Sequence, residues 1–163
     1  MRRKERQVTD LEEIKALVET CQVVRIAFNG PEYPYIVPVN YGYKWEEEQL
    51  ILYVHGATQG EKISRLQADE KVAIEMDDKH ALIEGGNRAD RYSYAYESII
   101  GFGKAELLKD VEEKRYALHA LMDHAAKGMS FDEIPERMIE RTGIIKITIS
   151  DYTMKQHKPK TNM

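Results

Sequence analysis

Short runs of apolar, β-branched and aromatic residues recur along this chain, and most of the segments between them are too short to contain a helix. These runs predict at least six strands in meander order, at residues 23–28, 35–43, 50–54, 72–76, 96–108 and 144–149. A doubly wound parallel sheet needs crossover helices, which most of these connections lack. The pattern therefore predicts a mainly β fold, an antiparallel barrel with helices on its outside.

Two helices have recognisable beginnings. Thr9 and Glu12 stand in capping-box spacing ahead of an apolar helical stripe, and Asp110 with Glu113 repeats that spacing before a longer one. These patterns predict a helix near the N-terminus and another after the fifth strand.

Prolines and small residues mark the irregular places. Pro38 lies inside the predicted strand 35–43, which places it at a sheet edge or a bulge, where its missing N–H has no partner to satisfy. A short helix is predicted at residues 61–66, and another at 131–139, interrupted by Pro135. Residues 78–95 give no clear pattern.

Length and composition limit the class of protein. The 163 residues predict one domain, residues 1–155, followed by a polar tail, residues 156–163. A hydrophobic fraction of 42% argues against disorder, and a net charge of −4 argues against nucleic-acid binding. A single cysteine, Cys21, predicts a small buried side chain in a reducing compartment. With neither a signal peptide nor a membrane span in the sequence, we expect a cytoplasmic protein.

The end of the third predicted strand suggests an anion site. His55, Gly56, Ala57 and Gly60 follow the strand, and Lys62 lies in the first turn of the next helix. Small residues allow backbone N–H groups to turn inward, and a helix N-terminus together with a lysine attracts a phosphate. The spacing is not that of a P-loop. A solvated helix start explains the same residues without any ligand.

His55 has two interpretations. It could pack at the strand end, or contact a bound ligand. We expect no metal site, because the remaining histidines form no cluster at ligand spacing: His80, His119, His124 and His157.

Two glycines two residues apart, Gly101 and Gly103, lie on one face of the fifth predicted strand. Either a flat ligand or another backbone approaches that face, or the barrel bends there.

The sequence contains three strings in this order: PYIVPVNYGY (34–43), LYVHGA with GEK (52–57 and 60–62), and SIIGFGKAE (98–106). Together they resemble the nitroimidazole-resistance (Nim) proteins. These are a branch of the pyridoxamine-phosphate-oxidase-like flavoproteins, and the similarity extends over nearly the whole chain. The resemblance implies an FMN-binding split β-barrel, antiparallel and Greek-key-like with flanking helices. It also implies a homodimer with FMN in a cleft at the subunit interface.

The resemblance also implies roles for individual residues. The strand along the isoalloxazine ring corresponds to Val37, Pro38, Val39 and Asn40. The junction that holds the phosphate corresponds to His55, Gly56, Ala57, Gly60 and Lys62. The strand that reaches the flavin from the neighbouring subunit corresponds to Ser98, Ile99 and Ile100.

The sequence departs from its relatives at Ser93, Ala95 and Glu97, where many of them carry a glycine and basic residues. It also lacks the C-terminal tryptophan and arginine of true pyridoxamine-phosphate oxidases, so that activity is not expected.

The resemblance implies an FMN-dependent oxidoreductase of the nitroreductase type, which reduces small flat electron acceptors at flavin N5. His55 is the candidate catalytic residue, as a proton donor or an orienting group. The alternative is a non-catalytic split-barrel module that binds flavin or haem. The sequence identifies no electron donor, since it contains no nicotinamide-binding G-x-G-x-x-G motif.

Overall fold

The computed structural model describes residues 3–159, which form eight strands, four α-helices and two short 3-10 turns. The strands are β1 Gln7–Val8, β2 Val24–Phe28, β3 Tyr35–Val39, β4 Gly42–Glu46, β5 Gln49–Gly56, β6 Lys71–Ile83, β7 Ser93–Leu107 and β8 Gly143–His157. The helices are α1 Leu11–Thr20, α2 Glu61–Ala68, α3 Val111–Ala125 and α4 Glu136–Arg141, and the 3-10 turns are Lys4–Arg6 and Ala89–Arg91.

The strands form one antiparallel sheet in the order β3-β2-β6-β7-β8-β5-β4, with β1 added to β8. The two outermost strands, β3 and β4, are joined by only two residues, Asn40 and Tyr41. Since so short a link spans about 10 Å at most, the two sheet edges must come together, and the sheet curls into a barrel that is open along this seam. The predicted mainly β, antiparallel split barrel with flanking helices is confirmed.

Simple meander order is wrong, because β3 does not pair with β4, and β5 does not pair with β6. The predicted strand 35–43 is in fact two strands, β3 and β4, which separate at Asn40–Tyr41. The Tyr41 side chain turns inward there, and its hydroxyl lies 2.7 Å from the Val18 carbonyl oxygen and 2.8 Å from that of Cys21. The buried tyrosine thus ties the seam to α1.

Pro38 lies in β3, an edge strand, as predicted. Four strands, β5, β6, β7 and β8, are longer than the sequence indicated. Residues 78–95, which gave no clear pattern, form the ends of β6 and β7 and the loop between them. The last strand continues to His157, so the tail that was expected from residue 156 starts after β8. Residues 160–163 of that tail lie outside the described part of the chain.

The helix starts agree in part with the sequence. Asp110 caps α3, with its carboxylate accepting the Glu113 N–H at 2.9 Å. The cap of α1 is Asp10 and not Thr9: the Asp10 carboxylate accepts the Glu12 N–H at 2.8 Å. The helix predicted at residues 131–139 begins only after Pro135 and continues to Arg141. Proline supplies no N–H, which suits a helix start better than a helix interior.

The core lies on both faces of β5. Leu50, Leu52 and Val54 face the barrel interior, which α1 also helps to fill. Ile51 and Tyr53 face the other way and pack under α3 in a second apolar cluster. Cys21 is buried in the main cluster as predicted, and burial raises the pKa of its thiol.

Gly101 and Gly103 serve the barrel and not an outer ligand. A Cβ atom on Gly101 would lie 3.2 Å from Ile74 and 3.0 Å from Ile149, and one on Gly103 would overlap the backbone of Thr148. The pairing of β7 with β8 shifts register at Phe102–Gly103. The close approach of another backbone, that of Thr148, is therefore observed at Gly103, and the register shift at the same point fits a bend in the barrel.

Candidate functional site

The junction between β5 and α2 has the features of an anion cradle. Gly60 is the N-cap of α2 and has φ of 118° and ψ of −177°, a conformation that is essentially restricted to glycine. It offers no side chain to the first helical turn, and no side chain among residues 3–159 forms a capping hydrogen bond there. The first N–H groups of α2 are therefore left for solvent or a ligand.

Lys62 and Gly56 complete the cradle. A Cβ atom on Gly56 would lie 3.4 Å from the Lys62 Nζ atom, so the ammonium group lies over the end of β5. Gly56 pairs with Gly143 of β8. A Cβ atom on Gly143 would lie only 2.6 Å from the Ala57 carbonyl oxygen. The structure thus brings four of the predicted phosphate residues together: Gly56, Ala57, Gly60 and Lys62.

His55 lies on the other face of β5. Alternation along the strand places Val54 in the barrel interior and His55 on the face that carries Tyr53 and α3. The ring is exposed and forms no hydrogen bond with any other residue in the range 3–159. It is therefore available to a ligand or to solvent.

The predicted ring-binding strand is an edge of the sheet. Val37, Pro38 and Val39 pair with β2 on one side only, which leaves the backbone groups on their other side free for another partner. Asn40 follows the strand, and its Nδ2 donates a hydrogen bond to the Gln22 carbonyl oxygen at 2.8 Å. That amide group stabilises the start of β2.

Ser98, Ile99 and Ile100 do not meet the β5–α2 junction within one chain. Ser98 pairs with Lys155 and Gly56 pairs with Gly143. These two partners lie at opposite ends of β8, about 40 Å apart along the strand at roughly 3.3 Å per residue. Ile99 is buried in the barrel, whereas Ile100 is 48% exposed on its outer face.

Four exposed apolar residues lie near one another on the outer face of the sheet around Ile100. Pairing across β3, β2, β6 and β7 places Ile36 in one row with Phe102, and Pro38 in one row with Ile100. Ile36 is 60% exposed and Phe102 is 54% exposed. These four residues are called the apolar outer face below.

An ion pair crosses the apolar outer face. Arg25 Nη1 lies 2.9 Å from Glu75 Oε2, and both residues stand between Pro38 and Ile100 in their row. Partial burial raises the pKa of Glu75, while the guanidinium acts in the opposite direction.

Of the three positions that the sequence analysis expects to differ from relatives, Glu97 has the clearest structural role. Its side chain is buried, and its Oε2 accepts a hydrogen bond from Lys79 Nζ at 2.7 Å. Lys79 lies in the irregular part of β6, between Asp78 and Ala81. Glu97 therefore joins the two strands of this hairpin.

Two basic residues near the junction escaped the sequence analysis. Arg137 and Arg141 of α4 line a cavity of about 450 Å³ together with Gly56, Met138 and Thr142. Their spacing of four residues on a predicted helix was the available signal. Nothing in the sequence placed that helix beside the end of β5.

Two classes of feature are missing from the part of the chain between residues 3 and 159. No helix there is long and apolar enough to span a membrane. No group of three or more histidine, cysteine or acidic residues is placed to hold a metal ion.

Comparison with known families gives one family model that covers most of the chain. The model of the pyridoxamine 5'-phosphate oxidase family matches residues 10–156. The chain belongs to this family. The comparison with functionally curated proteins gives no significant match.

Solved structures agree with this family. A candidate 5-nitroimidazole antibiotic resistance protein from Bacteroides thetaiotaomicron is 28% identical, with a TM-score of 0.79 over 92% of this chain and 86% of that one. The predicted resemblance to the Nim branch of the family is thereby confirmed.

Two more distant structures show the same fold. The FAD and heme binding protein from Mycobacterium smegmatis is 20% identical, with a TM-score of 0.81 over 94% of this chain and 74% of that one. The flavocytochrome Anf3 from Azotobacter vinelandii is 19% identical, with a TM-score of 0.80 over 100% of this chain and 75% of that one.

Proposed function

We propose that this protein binds FMN and is an oxidoreductase of the nitroreductase type, which reduces small flat electron acceptors. The observation that carries the proposal is the junction between β5 and α2, in a chain of the pyridoxamine 5'-phosphate oxidase family. An uncapped helix start, a glycine-only turn at Gly60 and the Lys62 ammonium group together suit a phosphate.

Each predicted region has a role in this proposal. The first turn of α2 and Lys62 hold the phosphate of FMN. The free edge of β3, at Val37, Pro38 and Val39, offers backbone hydrogen bonds to the polar edge of the ring. These two regions come from the same chain.

The third region has to come from a second copy. Ser98, Ile99 and Ile100 lie at the far end of β8 from the phosphate junction, so one chain does not bring them to its own junction. Burial of the apolar outer face is the driving force for pairing, since exposed apolar patches of this kind mark protein contacts. We therefore propose a homodimer in which each chain completes the flavin site of the other.

When bound, FMN would supply the redox chemistry: an external two-electron donor would reduce the flavin, and the reduced flavin would in turn reduce the acceptor. The protein's task is to orient the ring and the acceptor and to manage a proton. The exposed, unbonded ring of His55 is the group that we assign to the proton or to the orientation of the acceptor.

The test is cofactor binding by the purified full-length chain. We expect a flavin absorbance spectrum, FMN as the released ligand by mass spectrometry, and weaker binding of riboflavin, which lacks the phosphate. Lys62→Gln should weaken FMN binding by about 1–3 kcal/mol, the scale of a charge-assisted hydrogen bond, and leave riboflavin unaffected.

Lys109→Gln, an exposed lysine between β7 and α3, is the matched control and should bind FMN as the wild type does. Equal affinity for riboflavin and FMN would contradict the phosphate site. A haem spectrum in place of a flavin spectrum would favour the binding-module alternative, as would a flavin that no acceptor reoxidises faster than oxygen does.

A further inference from the structure

Arg65 connects the two regions that the proposed flavin site takes from one chain. It lies in the last turn of α2, and its Nη1 atom donates hydrogen bonds to the Tyr33 carbonyl oxygen at 3.2 Å and to that of Asn29 at 3.4 Å. Both acceptors belong to the loop between β2 and β3, residues 29–34. Arg65 therefore joins the helix that begins after Gly60 to the segment that leads into β3.

The loop between β2 and β3 is shaped around the guanidinium group. A Cβ atom on Gly30 would overlap Arg65 Nη1, and it would also lie 2.6 Å from the Tyr33 carbonyl oxygen. A side chain at position 30 would therefore displace either the arginine or the backbone of the loop. Because glycine has no Cβ atom, it leaves the space that the guanidinium group fills.

The contact between α2 and this loop is held from both sides. Arg65 Nε donates a hydrogen bond to Glu61 Oε1 at 2.6 Å, one turn earlier in the helix, and the Arg65 side chain is only 22% exposed. A second link runs from Asn29 Nδ2 to the carboxylate of Asp69, the C-cap of α2, at 2.8 Å. The arginine thus has protein acceptors at Nε and at Nη1, which fix the direction of its side chain.

The loop has few other contacts that could fix its position. All six of its residues are exposed, and two of them, Pro31 and Pro34, have no N–H to donate. In the described part of the chain, no backbone hydrogen bond joins two residues of this loop. The side-chain links to α2 therefore set where the loop lies relative to the helix.

FMN, in the proposed site, is held at both ends. Its phosphate lies at the start of α2, and its ring lies along the free edge of β3. A rigid connection between two binding regions raises the affinity of a ligand that spans both, because the second contact then forms with little further loss of freedom. A ligand that occupies only one region gains nothing from that connection.

We propose that Arg65 is a positioning residue, which holds the anion cradle and β3 at the separation that FMN requires and does not itself bind the phosphate. This inference rests on the proposed flavin site.

The test compares three ligands on the full-length chain. FMN and riboflavin are titrated by calorimetry, and inorganic phosphate is titrated by phosphorus NMR. In Arg65→Gln we expect FMN affinity to fall about tenfold, or about 1.4 kcal/mol, which is within the range for a hydrogen bond from a charged group. Riboflavin and inorganic phosphate should bind as they do to the wild type, since each occupies one region only.

Two further variants separate positioning from direct binding. Lys62→Gln should lose affinity for inorganic phosphate as well as for FMN, because it removes a phosphate contact. Gly30→Ala leaves every charge in place and displaces the guanidinium group, so it should reproduce the selective loss of FMN affinity. Arg115→Gln is the matched control: it removes a helical arginine that is paired with Glu112 and Glu136, and it should leave all three affinities unchanged.

The inference is overturned if Arg65→Gln weakens inorganic phosphate as much as FMN, because Arg65 then binds the phosphate directly. It is also overturned if FMN affinity stays the same, or if riboflavin affinity falls equally, which would indicate a general structural role. These outcomes leave the proposed function intact as long as the wild type binds FMN more tightly than riboflavin. A wild-type chain that binds no flavin overturns the proposed function together with this inference.

Discussion

Replacing Gly60 by alanine tests the phosphate junction most directly. A Cβ atom at this position would meet no other atom within 4 Å, so the added methyl group causes no steric overlap with its surroundings. The whole effect comes from the backbone, whose φ of 118° and ψ of −177° are accessible to glycine and costly for alanine.

The magnitude follows from that conformation. A non-glycine residue held in such a region costs about 1–3 kcal/mol, which for a domain of this size corresponds to a decrease in Tm of roughly 2–12 °C. If the turn relaxes to avoid the strain, the N–H groups at the start of α2 change direction. The phosphate contacts are then lost, so FMN affinity should fall while riboflavin affinity stays the same.

Gly86→Ala provides the matched control. Gly86 also has a positive φ, of 63°, and open space around it, but it lies in the loop between β6 and β7. Alanine there costs about 1–2 kcal/mol, so both variants lose stability in thermal unfolding, and only Gly60→Ala should lose FMN affinity in calorimetric titrations. The reasoning is wrong if Gly60→Ala keeps the Tm and FMN affinity of the wild type, or if both variants lose FMN equally.

Three further changes test the dimer, the chemistry and the seam. Phe102→Asp places a charge on the apolar outer face. Light scattering should then show a monomer, and FMN binding should be weaker. A flavin-loaded dimer would mean that the contact between the two chains lies elsewhere. His55→Ala should lower turnover per bound flavin more than it lowers FMN affinity, and the reverse result would make His55 a residue that holds the cofactor. Tyr41→Phe removes the buried hydroxyl group next to the Val18 and Cys21 carbonyl oxygens, and should lower the free energy of unfolding in urea by about 1–3 kcal/mol. An unchanged unfolding free energy would show that this hydroxyl group does not stabilise the seam.

Local signals in the sequence were sufficient for much of the fold. The strand cores and the cap at Asp110 depend on side-chain period and on hydrogen bonds between near neighbours, which are visible in a single sequence. The junction at Gly60 and Lys62 could be predicted for the same reason, since its residues are close together along the chain.

Errors arose where distant parts of the chain compete for the backbone. Residues 35–43 have an unbroken strand pattern, but β3 separates from β4 where Tyr41 contacts two helices. Its hydroxyl group lies 2.7 Å from the Val18 carbonyl oxygen of α1, and its own carbonyl oxygen lies 2.7 Å from His124 Nδ1 of α3. The cap of α1 moved from Thr9 to Asp10 because both residues are good caps, and the helix start selects one of them. The outer part of the β6–β7 hairpin pairs after a register shift between Asp78 and Ala81, and this irregularity interrupts the simple alternation that a strand prediction relies on.

The sequence by itself determined the mainly β class, the β5–α2 turn and the resemblance to a flavoprotein family, because each depends on residues that are near neighbours. Only the tertiary structure decided which strands are edges, that Gly101 and Gly103 face the core, and that Arg137 and Arg141 lie beside Gly56. It also placed Ser98 far from the β5–α2 junction of its own chain. The physical reason is that strand order and curl result from burying all the apolar faces at once, and no local segment contains that information.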